Sequence, residues 1–182
     1  MLSLNDLNLR KIEPDDLEMI LYWRNSTDVR KFMLNDKIIK LVDHIKWFKK
    51  ISKNKSFDVL VTEYKKKPVG IVSISELDFS SRTCTWGQYI GADIRNSGIG
   101  ILMQIKAIDH MVNEHKIRKI WGKALGSNRI LKVHEVFGFI NEGVLKEHIK
   151  RNNVYENLFL VALFTDCWPE KRSQIIKKYK LK

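Results

Sequence analysis

The chain has 182 residues, 44% of them hydrophobic, and a formal net charge of +12 at pH 7. That length supports one domain with a real core, no apolar run approaches the roughly 20 residues that cross a bilayer, and the N-terminal MLSLNDLNLRK lacks a signal-peptide pattern. The two cysteines, Cys84 and Cys167, match no metal-ligand spacing, so a reduced, cytoplasmic protein without a metal is expected.

Leu7 to Ile12 reads as a short first strand. Pro14 then starts a helix whose first turns hold Asp15, Asp16 and Glu18, where negative charge suits the helix dipole, and which ends around Trp23, Arg24 and Asn25. Ser26 is placed to cap a short piece through Phe32, and a further helix is expected from Val42 to Ser52, with Ile45 and Phe48 inward and Lys46, Lys49 and Lys50 outward. Strands follow at Phe57–Tyr64, Pro68–Leu77 and Thr83–Ile90, joined by the charged turn Lys65–Lys67 and a loop at Asp78–Arg82, and read as an antiparallel meander. A helix over Ile101–Val112 carries Ile101, Ile105, Ile108 and Val112 at helical spacing. Ile117–Ala124 is a strand, parallel to its predecessor because a helix connects them. A helix over Ser127–Val136 is closed by Gly138, and strands at Ile140–Ile149 and Val154–Thr165 turn at Arg151–Asn153. LFLVALF in the last strand is apolar on both faces and predicts a central, covered position. Residues 1–168 are expected to form one α/β (α+β) domain with a mixed, mostly antiparallel sheet flanked by helices; 169–182 are expected to be a basic helix or tail.

The chemistry centres on Arg95-Asn96-Ser97-Gly98-Ile99-Gly100, between a strand and a helix start. The first turn of a helix has unpartnered backbone N–H groups and partial positive charge, which together attract anions. Gly98 and Gly100 remove side chains that would keep a phosphate away, and Arg95 can add a charge-assisted bond. A mononucleotide phosphate loop would need Lys-Ser/Thr after the last glycine, but Ile101-Leu102 follow; a dinucleotide fingerprint would need a small residue where Met103 stands. Taken alone, the string is also compatible with an ordinary strand-to-helix turn.

A second signal runs from Ser127 to Phe139, an Asn-led helix ending in Gly138-Phe139. Together with the glycine turn and the order of elements over roughly 7–168, it resembles the GCN5-related N-acetyltransferase superfamily. Tyr22–Asn25, Cys84–Gly91, His134-Glu135 and Glu142–His148 further resemble the nucleotide-sugar acetyltransferases of pseudaminic acid synthesis. Those enzymes acetylate UDP-4-amino-4,6-dideoxy-N-acetyl-β-L-altrosamine with acetyl-CoA.

The resemblance implies that 95–100 binds the CoA pyrophosphate and that Tyr89, Ile90 and Gly91 hold the pantetheine arm in a gap between splayed strands. It implies His134 as general acid toward the departing sulfur, an imidazole with an ordinary pKa of about 6.5, against the alternative of a packing histidine. Asn128 is the polar contact to the CoA arm or a helix N-cap; counting back from Gly138, the family asparagine falls on Ser127. Candidates for the general base are Glu76, Asp78, His44 and His148. Trp23, Arg24 and Asn25 border the acceptor pocket in this superfamily; Trp23 would stack on a uracil or sugar and Arg24 pair with a diphosphate, or Trp23 is core and Arg24 makes a surface ion pair.

The reaction implied is direct attack of a neutral amine on the acetyl-CoA thioester, with no metal. A UDP-linked amino sugar is the first acceptor; a ribosomal-protein or other peptide N-terminus is the alternative. The basic charge disfavours polyamines and aminoglycosides, which call for acidic pockets. It also raises a non-enzymatic alternative, a nucleic-acid-binding module, although no zinc-finger or aromatic RNA-binding signature accompanies it; a CoA sensor that has lost catalysis is a further alternative. No membrane partner is expected, and a homodimer through an edge strand is compatible with the pattern.

Overall fold

The computed structural model describes residues 2–92, 94, 97–151 and 153–182. Its strands are β1 (Leu7–Lys11), β2 (Asp58–Tyr64), β3 (Lys67–Asp78), β4 (Thr83–Ile90), β5 (Lys119–Leu125), β6 (Ile140–Arg151) and β7 (Val154–Phe164). Its helices are α1 (Leu17–Asn25), α2 (Thr27–Arg30), α3 (Leu41–Ile51), α4 (Ile99–Asn113), α5 (Ile130–Val136) and α6 (Trp168–Tyr179). The strands form one seven-stranded sheet in the order β1-β2-β3-β4-β5-β7-β6. β1 to β4 are the expected antiparallel meander, β4 and β5 are parallel, and β7 lies between β5 and β6. β7 is thus paired on both edges, but second from the end of the sheet rather than central; its LFLVALF is buried at Leu158 and Val161–Leu163, half-buried at Phe159 and Leu160 and exposed at Phe164.

Strand alternation gives the sheet two apolar faces. Leu60, Val72 and Ile74 pack with α4, whose Leu102, Met103, Ile105 and Ile108 are fully buried. Val59, Val61 and Ile71, the intervening positions, pack with Ile20 and Trp23 of α1 and Ile51 of α3. Each such aliphatic side chain contributes about 1.5–3 kcal/mol of burial. α4 is buried more completely than one helical stripe predicts, while Ile101 and Val112 lie at its half-buried margin. On α3 the lysines point outward as expected, but the fully buried positions are His44 and Ile51, with Ile45 half-buried.

The segment after Trp168 is a docked helix: Trp168 stacks on Phe137 at 6.1 Å and donates from Nε1 to Asp109, and Ile175 is buried in the main core. α5 begins later than its sequence implies: Asn128 Oδ1 accepts the Ile130 N–H at 3.0 Å in a turn that precedes the helix, and Arg129 stands at the N-cap.

Candidate active site

β4 and β5 pair only over Thr83–Lys119, Cys84–Ile120 and Thr85–Trp121. Beyond these positions β4 continues to Ile90 along β3, and β5 continues to Leu125 along β7. The parallel pair therefore opens like a V at the end where α4 starts. A cavity of about 970 Å³ occupies the opening. It reaches from Gly98, Gly100 and Ile101, past Trp86–Ile90 of β4 and Gly122–Ala124 of β5, to Arg24, His44 and Trp47. Ile71 and Ser73 line it from one face of the sheet and Met103 and Gln104 from the other, so it passes through the sheet at the gap. A smaller cleft of about 390 Å³ adjoins it, sharing Asn128 and His134.

The described part of the glycine turn is Ser97–Gly100. Gly98 is the N-cap of α4 at φ 81°, ψ −6°, a left-handed conformation in which side chains are strained. A Cβ there would also lie 2.5 Å from Leu2 Cδ1, so this glycine is required by the fold itself. Gly100 differs: among the described residues a Cβ there would meet only Ile90 Cδ1, at 3.6 Å, leaving its bareness to the cavity it lines. Ser97 Oγ accepts the Ile99 N–H at 3.4 Å and Ile99 is buried, so these two residues brace the turn. Arg95 and Asn96, expected as phosphate contacts, lie outside the described residues.

Tyr89 and Ile90 line the cavity, as does Gln88 before them. Gly91 does not: its N–H is bonded to Val69 O at 2.9 Å, and the space of its missing Cβ is filled by Trp23, whose Cδ2 would be 2.0 Å away. The glycine expected to hold the pantetheine arm instead accommodates an indole. Trp23 is accordingly core, 7% exposed, and not a stacking platform. Asn25 is also structural: its carboxamide donates to Ile39 O and accepts from Ile39 N, both at 2.9 Å, pinning the 31–40 segment.

Arg24 alone of that trio lines the cavity. Its Nη2 donates to Asn35 O at 2.6 Å, whereas Nη1 is buried and has no partner among the described residues. Burial lowers its pKa, and nearby Tyr89 acts in the opposite direction. The Tyr89 hydroxyl is pushed up by its own burial.

Two histidines face the same space. His44, on α3, is 4% exposed, stacks on Trp47 at 5.0 Å and leaves Nε2 buried and unpartnered. Burial lowers its pKa, partly opposed by a backbone hydrogen bond at Leu17. His134, on α5, stacks on Phe139 at 4.6 Å and leans on Trp86 at 5.9 Å, with Nδ1 buried and unpartnered. Burial pushes its pKa down to about 4. An imidazole of ordinary pKa near 6.5 is already largely neutral at pH 7, and burial takes this ring further in the same direction.

The remaining base candidates fall away. Glu76 sits exposed at φ 52° on a bulge of β3 opposite the closed end of β4–β5, away from the cavity. Asp78 accepts the Ser80 and Ser81 N–H groups at 2.9 and 3.0 Å in the loop beyond. His148 is exposed on β6. Asn128 lines the cavity and its Oδ1 holds the Ile130 N–H in the turn before α5, whereas Ser127 bonds Glu156. Gln88 and Gln104 escaped sequence analysis. They are joined at 3.3 Å, and Gln88 Oε1 and Gln104 Nε2 are buried, unpartnered and in the cavity wall. A glutamine on a core helix carries no signal of its own until the gap beside it is known.

A long channel through a splayed parallel pair, with a bare helix start at one end and unpartnered polar atoms along its walls, fits a phosphorylated carrier with an extended arm. The chain is 21% identical over 129 residues to the acetyltransferase PseH of Campylobacter jejuni subsp. jejuni serotype O:23/36 (strain 81-176), covering 70% of this chain and 79% of that protein. Its fold is similar to that of spermidine N-acetyltransferase from Vibrio cholerae in complex with CoA and spermine, with a TM-score of 0.85 at 18% identity over 91% of this chain and 99% of the other. The same Vibrio cholerae enzyme as a dodecamer in an intermediate state gives a TM-score of 0.78 at 19% identity, covering 90% and 96%. The Acetyltransferase (GNAT) domain family model matches residues 6–140, which include the glycine turn, the split strands and α5. With the match spanning every element that bounds the cavity, the chain belongs to the GNAT acetyltransferases and is an N-acetyltransferase that uses acetyl-CoA.

Proposed function

We propose that the acceptor is the 4-amino group of a UDP-linked amino-dideoxy sugar, as in pseudaminic acid synthesis. The observation that carries this reading is Arg24, a guanidinium in the cavity wall with Nη1 buried and unpartnered. A buried guanidinium nitrogen without an acceptor costs free energy unless an anion reaches it, and a diphosphate is matched to that fork. The relationship to PseH supports the same choice.

Acetyl-CoA supplies the acetyl group as an activated thioester. The chain supplies the rest. The bare start of α4 receives the phosphates, and the gap beside Gln88–Ile90 orients the arm. His44 Nε2, neutral and unpartnered, takes the proton of the incoming amine. His134, neutral, offers Nδ1 for a hydrogen bond at the far wall rather than a charge.

A polyamine is the second reading. Asp28 and Asp43 line the cavity at its exposed rim, and the spermidine acetyltransferases share the fold. Free-thiol release from acetyl-CoA, measured with the UDP-4-amino sugar, an Ala- or Ser-initiated peptide and spermidine, separates the acceptors. Turnover of the nucleotide sugar alone is expected, and Arg24→Met should raise its KM about ten- to a hundredfold, the value of one lost charged hydrogen bond, without changing the KM of acetyl-CoA. Turnover of spermidine, with Arg24→Met silent, would replace the sugar by the polyamine.

A further inference from the structure

At the opposite end of α4 from the glycine turn, three elements bring unlike side chains together. His110, in the last turn of α4, places Nε2 2.8 Å from Asp58 Oδ2. His115, in the turn that follows, places its own Nε2 2.8 Å from the same oxygen. The other oxygen, Oδ1, accepts from Lys11 Nζ of β1 at 2.6 Å. Asp58, at the start of β2, is 3% exposed. Burial alone would raise its pKa, but the bonds from His110, Lys11 and His115 outweigh this and hold the carboxyl well below its usual range. None of these residues lines the reaction cavity.

We propose that Asp58, His110 and His115 form a site for a divalent transition metal of the zinc class. The ligand atoms all lie within 4.8 Å of one another. Adjacent ligands on a tetrahedral ion with bonds of about 2.1 Å stand about 3.4 Å apart, so each of the two 2.8 Å N···O separations would open by about 0.6 Å to admit the ion. Lys11 occupies only Oδ1, leaving Oδ2 as the single ligand oxygen; a coordinating carboxylate whose second oxygen is hydrogen-bonded is the usual supporting arrangement. Two imidazoles and one carboxylate favour Zn²⁺, Co²⁺ or Ni²⁺ over Mg²⁺ or Ca²⁺, which prefer all-oxygen shells. The imidazoles are partly open, with 22% and 18% of their side chains exposed, so solvent can complete the shell.

The ion would tie the start of β2 to the end of α4. Twelve residues separate Gly98 from His110, about 18 Å along the helix axis, which makes it a clamp on the core helix and no part of acetyl transfer.

The test uses the full chain after chelator treatment, titrated with ZnCl2, CoCl2 and MgCl2. One zinc per chain is expected, with the unfolding midpoint raised by roughly 5 °C at a hundredfold excess over the dissociation constant. Cobalt should give a visible ligand-field absorption that saturates at one equivalent, and magnesium should do nothing. His115→Ala, a substitution in a partly exposed turn, should fold and lose the zinc shift and the cobalt absorption. An unchanged wild-type midpoint with zinc, or zinc binding equal in wild type and His115→Ala, would overturn the site and leave the cluster as a hydrogen-bonded ion pair. Acetyl transfer is read separately, so neither result bears on the acceptor.

Discussion

The N-terminal end of α4 borders a cavity in which Arg24 Nη1, His44 Nε2, Gln104 Nε2 and His134 Nδ1 are buried and unpartnered; the C-terminal end closes on Asp58, whose oxygens are taken up by Lys11, His110 and His115. Both ends hold two histidines, and their neighbours make them different reagents. Without an anion, burial keeps the cavity imidazoles neutral. Beside a buried carboxylate, the outer pair is oriented with both Nε2 atoms on one oxygen. Each unpartnered buried polar atom costs about 1–3 kcal/mol, a cost compatible with a cavity that a substrate fills. The outer end is satisfied within the chain and stabilises it.

The contrast breaks most readily at His44. His44→Gln should lower kcat by about 10²- to 10⁴-fold with little change in the KM of acetyl-CoA, the signature of a lost proton acceptor. In the wild type the rate should fall with acid only below pH 6.5, because the pKa of His44 is depressed. A kcat within threefold of wild type would return the proton to water.

His134 sharpens the comparison through stability. Its folded pKa of about 4 lies below the ordinary 6.5. The neutral ring therefore contributes stability that is complete above pH 6.5 and lost as the pH falls through about 4, a change on the order of 3 kcal/mol. His134→Phe removes that titration. Urea unfolding at pH 7 and pH 4 should show the variant gaining on the wild type by about that amount, and parallel losses in the two proteins would mean that the ring is solvated.

The smallest effect separates fold from ligand at the glycine turn. Gly100→Ala adds a methyl group where the chain leaves room, in the first turn of a helix that prefers alanine by about 1 kcal/mol at interior positions. The expected outcome is an unchanged or slightly raised unfolding midpoint together with weaker acetyl-CoA binding by calorimetry. Unaltered affinity would remove Gly100 from the phosphate site. Gly98 cannot serve for this test, since its positive φ and Leu2 confound folding with binding.

The element order, the antiparallel meander, the parallel crossover and the last strand, paired on both edges, were legible because each rests on periodicity and turn chemistry within a few residues. The glycine at the head of α4 was legible for the same reason: a positive-φ N-cap is a local backbone requirement. Side-chain roles were less so. Trp23-Arg24-Asn25 read as one acceptor-facing group, yet one residue fills the hollow of Gly91, one lines the cavity and one pins Ile39. Consecutive helical residues point about 100° apart, so adjacency in sequence promised no shared target.

By itself the sequence determined the strands, the helices and a glycine at the head of α4, since local backbone preference and apolar spacing carry that information. Only the tertiary structure decided which polar groups lose water and what meets them there. Glu76 was left in solvent, His44 was buried against the cavity, His134 was stripped of charge, and Asp58 was brought to two histidines more than fifty residues away. Desolvation and charge pairing depend on distances between remote segments, and those distances exist only once the sheet has closed around α4.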